Sequence, residues 1–292
     1  IQDVSAVWAV AYNIPLFEEL GLSVPTDYNS FMEVCEAIKG SGVIPVYEAV
    51  SDGWHHVLWF LESGVSVEAA NPGTVDALNS NEQVFAGNKG LTTILDQMNE
   101  MIEKGYWGDN YMSNEYANAA ANIASGEYAM TIANQGFGDE VNAVNPDIAV
   151  EDIGYFVIPL NDNQVLNVNP AGPARFISST SKHVEEAKQY LEYLAREESL
   201  TYLTENVAKF NKLAFTNAPT MYNDTIQTFY DRYDLQGTVL QTSVKYVNPQ
   251  WGDIGASLSA MFVGDMSSAE VLEKIDKLRA EQAAAASDPA WN

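Results

Sequence analysis

The stretch from Tyr12 to Tyr47, YNIPLFEELGLSVPTDYNSFMEVCEAIKGSGVIPVY, reads as two capped helices running into a buried strand. Pro15 suits the first turn of a short helix, because the N–H it lacks would be unpaired there anyway. Leu16, Phe17 and Leu20 give that helix one apolar face, and Gly21 can end it in the left-handed conformation. After Val24-Pro25, Thr26 or Asp27 can cap a second helix whose apolar residues, Phe31, Val34, Cys35 and Ile38, recur at helical spacing. Gly40 and Gly42 stop it, and Val43, Ile44, Val46 and Tyr47 follow as a strand. Together these make a helix-helix-strand piece of an α/β layer.

The same alternation continues outward. Helical periodicity covers 52–62, with Trp54, Val57, Leu58 and Leu61, and 88–104, with Leu91, Ile94, Leu95, Met98 and Ile102 before Gly105. An alanine-rich helix spans 114–125, and strands are predicted over 128–133 and 153–158. Helices follow near 184–195 and 198–207, Trp251 opens another, and Ser267 with Glu270 forms a capping box before Leu272, Ile275 and Leu278. Single strands alternating with helices predict an α/β fold. The Asn-, Pro- and Gly-rich stretch 161–173 reads as a crossing between lobes, and a second crossing is expected near 235–247. Residues 1–168 with 240–292 are then one lobe, and 169–239 belong to another.

Composition narrows the partners. Forty acidic residues face fourteen Lys and Arg, a net charge of −26. Nucleic acid needs a basic face and is excluded as an expected partner. Six Trp, fifteen Tyr and eleven Phe supply flat apolar faces. No apolar run approaches the roughly 18 residues of a membrane span. Cys35, the single cysteine, falls on an apolar helix face and reads as a buried small hydrophobe.

Several motifs in order carry a resemblance. They are Tyr12-Asn13, Leu16-Phe17-Glu18-Glu19, Gly21-Leu22, Pro25-Thr26 and Phe31; then Gly126 to Ile132; Gly154 to Pro159; Ala171-Gly172-Pro173 with Ser181-Lys182-His183; and Trp251 with 267–279 and Asp288 to Trp291. The chain resembles the extracellular solute-binding proteins of carbohydrate ABC transporters, the group that includes maltose-binding protein. The resemblance implies a type II periplasmic-binding-protein-like fold with two lobes, one of them incomplete. In that family roughly a hundred residues precede Tyr-Asn, so most of the N-terminal lobe is expected to be missing here. It also implies a carbohydrate ligand, an oligosaccharide by expectation, and ABC permease subunits as partners. Location is expected to be periplasmic or at the cell surface, as a monomer held to the membrane only through a lipid anchor on the missing N-terminus. No cofactor is implied.

Sugar binding needs aromatic faces for the C–H side of a pyranose and carboxylates or amides for its hydroxyls. Ligands of open α/β sheets sit past the carboxyl ends of strands. The loop after the strand at 43–47 offers Asp52, Trp54 and His55, matching the family's carboxylate and aromatics. Asp52 can equally be an N-cap, and Trp54 the first core residue of its helix. The loop after 128–133 offers Asn134, Gln135 and Phe137, departing from the family's tryptophan there. By resemblance Trp251 stacks on sugar from a helix start, with Asp253 beside it, and Arg175 can reach the cleft or pair with an acid.

Catalysis is not expected. His55 and His56, neighbours on one helix, point about 100° apart and make no metal face. HExxH, CxxC, GxSxG and phosphate-loop motifs are absent. A peptide or polyamine ligand is the alternative class, and a glycoside-active enzyme a remote third.

Overall fold

The computed structural model describes residues 7–170, 174–207 and 213–291. Its centre is a four-stranded sheet of β1 (Ala9–Asn13), β2 (Ile44–Val46), β3 (Tyr128–Ala133) and β4 (Ile153–Phe156), in the order β2-β3-β1-β4. β2 and β3 are parallel, while β1 runs antiparallel to both β3 and β4. The carboxyl ends of β2, β3 and β4 and the amino end of β1 therefore share one edge.

Strand periodicity sorts the core into two layers. Val10, Tyr12, Val46, Met130, Ile132 and Phe156 face one way, with Phe31, Trp59 and Trp107 among their partners. Ala9, Ala11, Ala133, Tyr155 and Val157 face the other, beneath Phe137 and Phe229. The register sets Tyr12 opposite Gly154. A Cβ on Gly154 would come 2.4 Å from the Tyr12 ring, so only glycine leaves room for it.

The opening stretch folds as its caps dictate. Asn13 Oδ1 accepts the Leu16 N–H at the helix Ile14–Glu19, which carries Pro15 in its first turn. Asp27, rather than Thr26, caps Tyr28–Gly40 by accepting the Ser30 N–H at 2.7 Å. Phe31, Val34, Cys35 and Ile38 are all buried. The helix Lys89–Glu103 buries Leu91, Ile94, Leu95, Met98 and Met101, whereas Ile102 is half-buried. Side chains of this size gain roughly 1.5–3 kcal/mol each on full burial. The Ser267–Glu270 capping box opens the helix Ser268–Ala285.

Two further strands, β5 (Leu166–Val168) and β6 (Gln236–Thr238), pair in parallel. Between them lie helices Val184–Leu194, Glu197–Asn206 and Asp224–Asp231. The last docks on the β4 side through Ile226 and Phe229, with the Val157 N–H donating to the Tyr233 hydroxyl at 3.1 Å. Helix Val184–Leu194 buries no residue. The motif residues Ala171, Gly172 and Pro173 lie outside the described residues. No helix among the described residues is long and apolar enough to cross a membrane.

Candidate functional site

The loops at the shared sheet edge bring four rings together. Trp8 precedes β1; Trp54 and His55 sit in the turn after β2; Tyr116 opens the alanine-rich helical stretch. Ring centroids are 5.6 Å apart for Trp8–Trp54, 6.1 Å for Trp8–Tyr116 and 5.4 Å for Trp54–Tyr116, all edge-to-face. Tyr116 stacks on His55 at 4.8 Å. Edge-to-face pairs add about 0.5–1.5 kcal/mol beyond burial and fix the ring orientations.

Trp251 arrives from a distant part of the chain. Its indole N–H donates to the Trp54 carbonyl at 3.2 Å. The approach depends on Gly255 in the helix Trp251–Phe262, where a Cβ would lie 2.2 Å from the Gly53 carbonyl oxygen. Trp8, Trp54, Tyr116 and Trp251 are half-buried, so each combines a packed body with an accessible face.

Asp52 is exposed, and its Oδ2 accepts the Tyr116 N–H at 2.6 Å. It does not cap the helix that follows it. That helix runs Val57–Ser63 rather than from 52, after a turn with Gly53 at φ +72°. Asp52 instead ties the β2 loop to the start of the alanine-rich stretch, one oxygen bound and its carboxylate facing water beside the rings.

Beneath the rings lies a sealed polar network. The Glu48 carboxylate accepts from His55 Nδ1 at 2.7 Å, Trp59 Nε1 at 2.6 Å and the Ala49 N–H at 2.9 Å. His55 Nε2 donates to the Ile132 carbonyl at 2.8 Å. Both imidazole nitrogens face acceptors, the arrangement of an imidazolium. Burial alone would neutralise the pair. The contact with His55 outweighs it and holds the Glu48 carboxyl below its ordinary value; in return Glu48 and the Ile132 carbonyl raise His55. Burial lowers His56, whose Nε2 donates to the Gly255 carbonyl at 2.9 Å.

Three expected site residues sit elsewhere than the accessible surface. His55 is 0% exposed and lies under Trp54 and Tyr116. Phe137 is 1% exposed in the core, because the helix Phe137–Val144 turns its first residue inward. Gln135 is buried, donating to the Val7 carbonyl at 2.9 Å and accepting from the Tyr230 hydroxyl at 3.1 Å. Asn134 is half-buried and closes a turn by accepting the Gly136 N–H. Asp253 is exposed in the first turn of the Trp251 helix, and Arg175 is half-buried beyond β5. Sequence reasoning passed over Trp8 and Tyr116. The signal available for Trp8 was its place just before a short apolar run that became β1.

With this geometry in view, the comparisons with known proteins point one way. The model of the family described as bacterial extracellular solute-binding protein matches residues 2–200, more than half of the chain. The chain belongs to this family. A multiple sugar-binding protein of Streptococcus mutans serotype c is 25% identical over 193 residues. That match covers 64% of this solute-binding protein and 45% of its relative, so the chain spans under half of the relative's length. Solved structures share the fold. A chitin oligosaccharide binding protein superposes with a TM-score of 0.78 at 19% identity, covering 96% of this chain and 70% of that one. A Bacillus licheniformis sugar transporter in complex with stachyose gives 0.75 at 20% identity, covering 94% and 71%. RafE in complex with raffinose gives 0.73 at 17% identity, covering 100% and 73%. The fold is thus that of the type II periplasmic sugar-binding proteins, as the motifs predicted.

Proposed function

We propose that this chain contributes one wall of a carbohydrate site in an extracytoplasmic binding protein that delivers sugar to an ABC importer. The observation that carries the reading is the convergence of Trp8, Trp54, Tyr116 and Trp251 at the sheet edge, with the exposed Asp52 carboxylate bound to the Tyr116 N–H and the exposed Asp253 two residues after Trp251. Aromatic faces take the C–H side of a pyranose and the carboxylates take its hydroxyls. Relatives whose names record sugars support the ligand class. In this reading Asn134 and Arg175 belong to the polar rim, and His55 packs behind Trp54 and Tyr116.

In this reading residues 1–168 and 240–292 form one lobe, and 169–239 belong to the other. β5 and β6 are the crossings, and closure about them traps the ligand because both lobes touch it only when shut. No bond is made or broken. A lipid-anchored or periplasmic location and action as a monomer go with this reading.

Calorimetry with a panel of neutral oligosaccharides, spermidine and short peptides tests it. Saturable binding of a neutral sugar is expected, lost in Trp251→Ala while the far-ultraviolet spectrum is kept. Binding of spermidine or peptide alone would move the protein to another solute class. Release of reducing sugar from the same panel would make it an enzyme.

A further inference from the structure

Glu62 is a buried carboxyl group at the point where the chain crosses. It lies near the end of the helix Val57–Ser63 and is 1% exposed. Its Oε2 accepts from Asn167 Nδ2, on β5, at 2.5 Å. Its Oε1 accepts from Gln241 Nε2, just after β6, at 2.8 Å. One carboxyl group thereby bridges the outgoing strand and the short helix Leu240–Ser243 that follows the returning one. Asn167 Nδ2 also donates to the Trp8 carbonyl at 2.7 Å, so the bridge reaches the aromatic cluster.

The bridge is unbalanced in a telling way. Both amides turn their N–H groups to Glu62. The amide oxygens, Asn167 Oδ1 and Gln241 Oε1, are left buried with no donor among the described residues. A buried acceptor without a donor costs about 1–3 kcal/mol. Asn167 is pinned by the Trp8 carbonyl, but Gln241 can turn its amide over. Its oxygen would then accept an O–H from a protonated Glu62.

Among the described residues no charge stands opposite Glu62 to compensate ionisation. On the neighbouring helix Val65–Ala70, Glu68 accepts the Gly73 and Val75 N–H groups. On Lys89–Glu103, Glu100 accepts from the Tyr28 hydroxyl, Asp96 from the Ser268 hydroxyl, and Lys89 and Glu103 are exposed. Asp162 accepts the Tyr28 N–H, and Asp253 is exposed. On its own segment His56 faces Gly255, and Glu48 with His55 forms a closed pair. Burial, opposed only by the two amides, pushes the Glu62 carboxyl up to about 7.

We propose that Glu62 is a proton-operated latch at the crossing: protonated, it ties Asn167 to Gln241 with no buried charge and keeps the crossing packed; ionised, it still accepts both amide N–H groups but leaves a buried charge without a counter-charge among the described residues, which favours opening of the crossing. The latch itself requires no ligand. Its consequence for lobe closure rests on the two-lobe reading above.

Hydrogen exchange at the crossing tests the latch without any sugar. The reporters are Leu166 N–H, bonded to the Leu235 carbonyl, and Val239 N–H, bonded to the Val168 carbonyl. If local opening exposes Glu62 to water, protection corrected for intrinsic rate should fall about tenfold from pH 6 to pH 8. Amides of β1 and β3 should not follow. In Glu62→Gln, which carries a neutral amide in place of the acid, the crossing should be equally protected at both values. Carbon-detected titration of the wild-type Glu62 carboxyl needs no variant and should show a midpoint near 7. A midpoint near 4.5, or the same pH response in Glu62→Gln, would overturn the proposal. If the latch behaves as described but no sugar binds, the function fails and the latch stands.

Discussion

The helices Lys89–Glu103 and Val184–Leu194 are written in the same grammar and end in different surroundings. Each has an apolar stripe at three- and four-residue spacing. The first buries five side chains against the sheet-centred core, and the second buries none. Tyr190 and Tyr193 of the second are at least half exposed, and nearby Phe176 is 88% exposed. An amphipathic stripe therefore states which face would be buried, not that a partner surface is there to bury it. The sheet-centred unit supplies that partner for its own helices, whereas between β5 and β6 the helix Glu197–Asn206 buries Leu200 and Thr204 and Asp224–Asp231 buries Ile226 and Phe229.

The contrast can be broken from the inside first. Glu48→Gln removes the charge under His55 and should cost the sheet-centred unit about 3–5 kcal/mol, read by denaturant unfolding. A loss below about 1 kcal/mol would mean the sealed network is not an anchor. The sign with pH follows from the two shifts. The Glu48 contribution is present above the ordinary carboxylate value and fades as pH falls through its lowered one. The His55 contribution is present below the ordinary imidazole value and fades as pH rises through its raised one. The pair should thus stabilise most at mildly acid to neutral pH.

Matched truncations sharpen the comparison next. Ile94→Ala should cost about 2–5 kcal/mol, and Leu191→Ala under about 1 kcal/mol. Equal costs would show that the two helices are equally packed. Amides of Val184–Leu194 should likewise exchange well before those of Lys89–Glu103. The smallest effect is expected for Phe176→Ser, within about 0.5 kcal/mol of wild type, with improved solubility.

Much of the fold was legible because local rules and tertiary packing agree. Asp27, Asn88 and Ser267 each place a side-chain oxygen where a helix start needs one, and all three helices begin there. β3 matched its predicted span because every residue in it is buried and its boundaries are marked by Gly126 and Asn134. β1 was missed: Ala9-Val10-Ala11 is short and small, and its strand character comes from lying between β3 and β4. β5 and β6 form only by pairing with each other across some seventy residues, which no local pattern records.

The candidate site was legible by residue type and not by exposure. Trp54 and Trp251 meet over a chain separation of 197 residues. His55 and Phe137 look equally eligible in sequence. A carboxylate beneath the loop draws His55 inward, and a helix turn does the same to Phe137. Neither orientation is written in residue type. Tyr116 lies far along the chain from the β2 loop and joins it through Asp52, Trp54 and His55.

The most direct measurement compares the tryptophans within one molecule. Trp8, Trp54 and Trp251 line the cluster, whereas Trp59 and Trp107 are 0% exposed in the core. Titrating neutral oligosaccharides while following the indole N–H resonances should shift the first three and leave the last two in place. Shifts confined to Trp59 and Trp107, or none with any sugar that calorimetry shows to bind, would contradict the account.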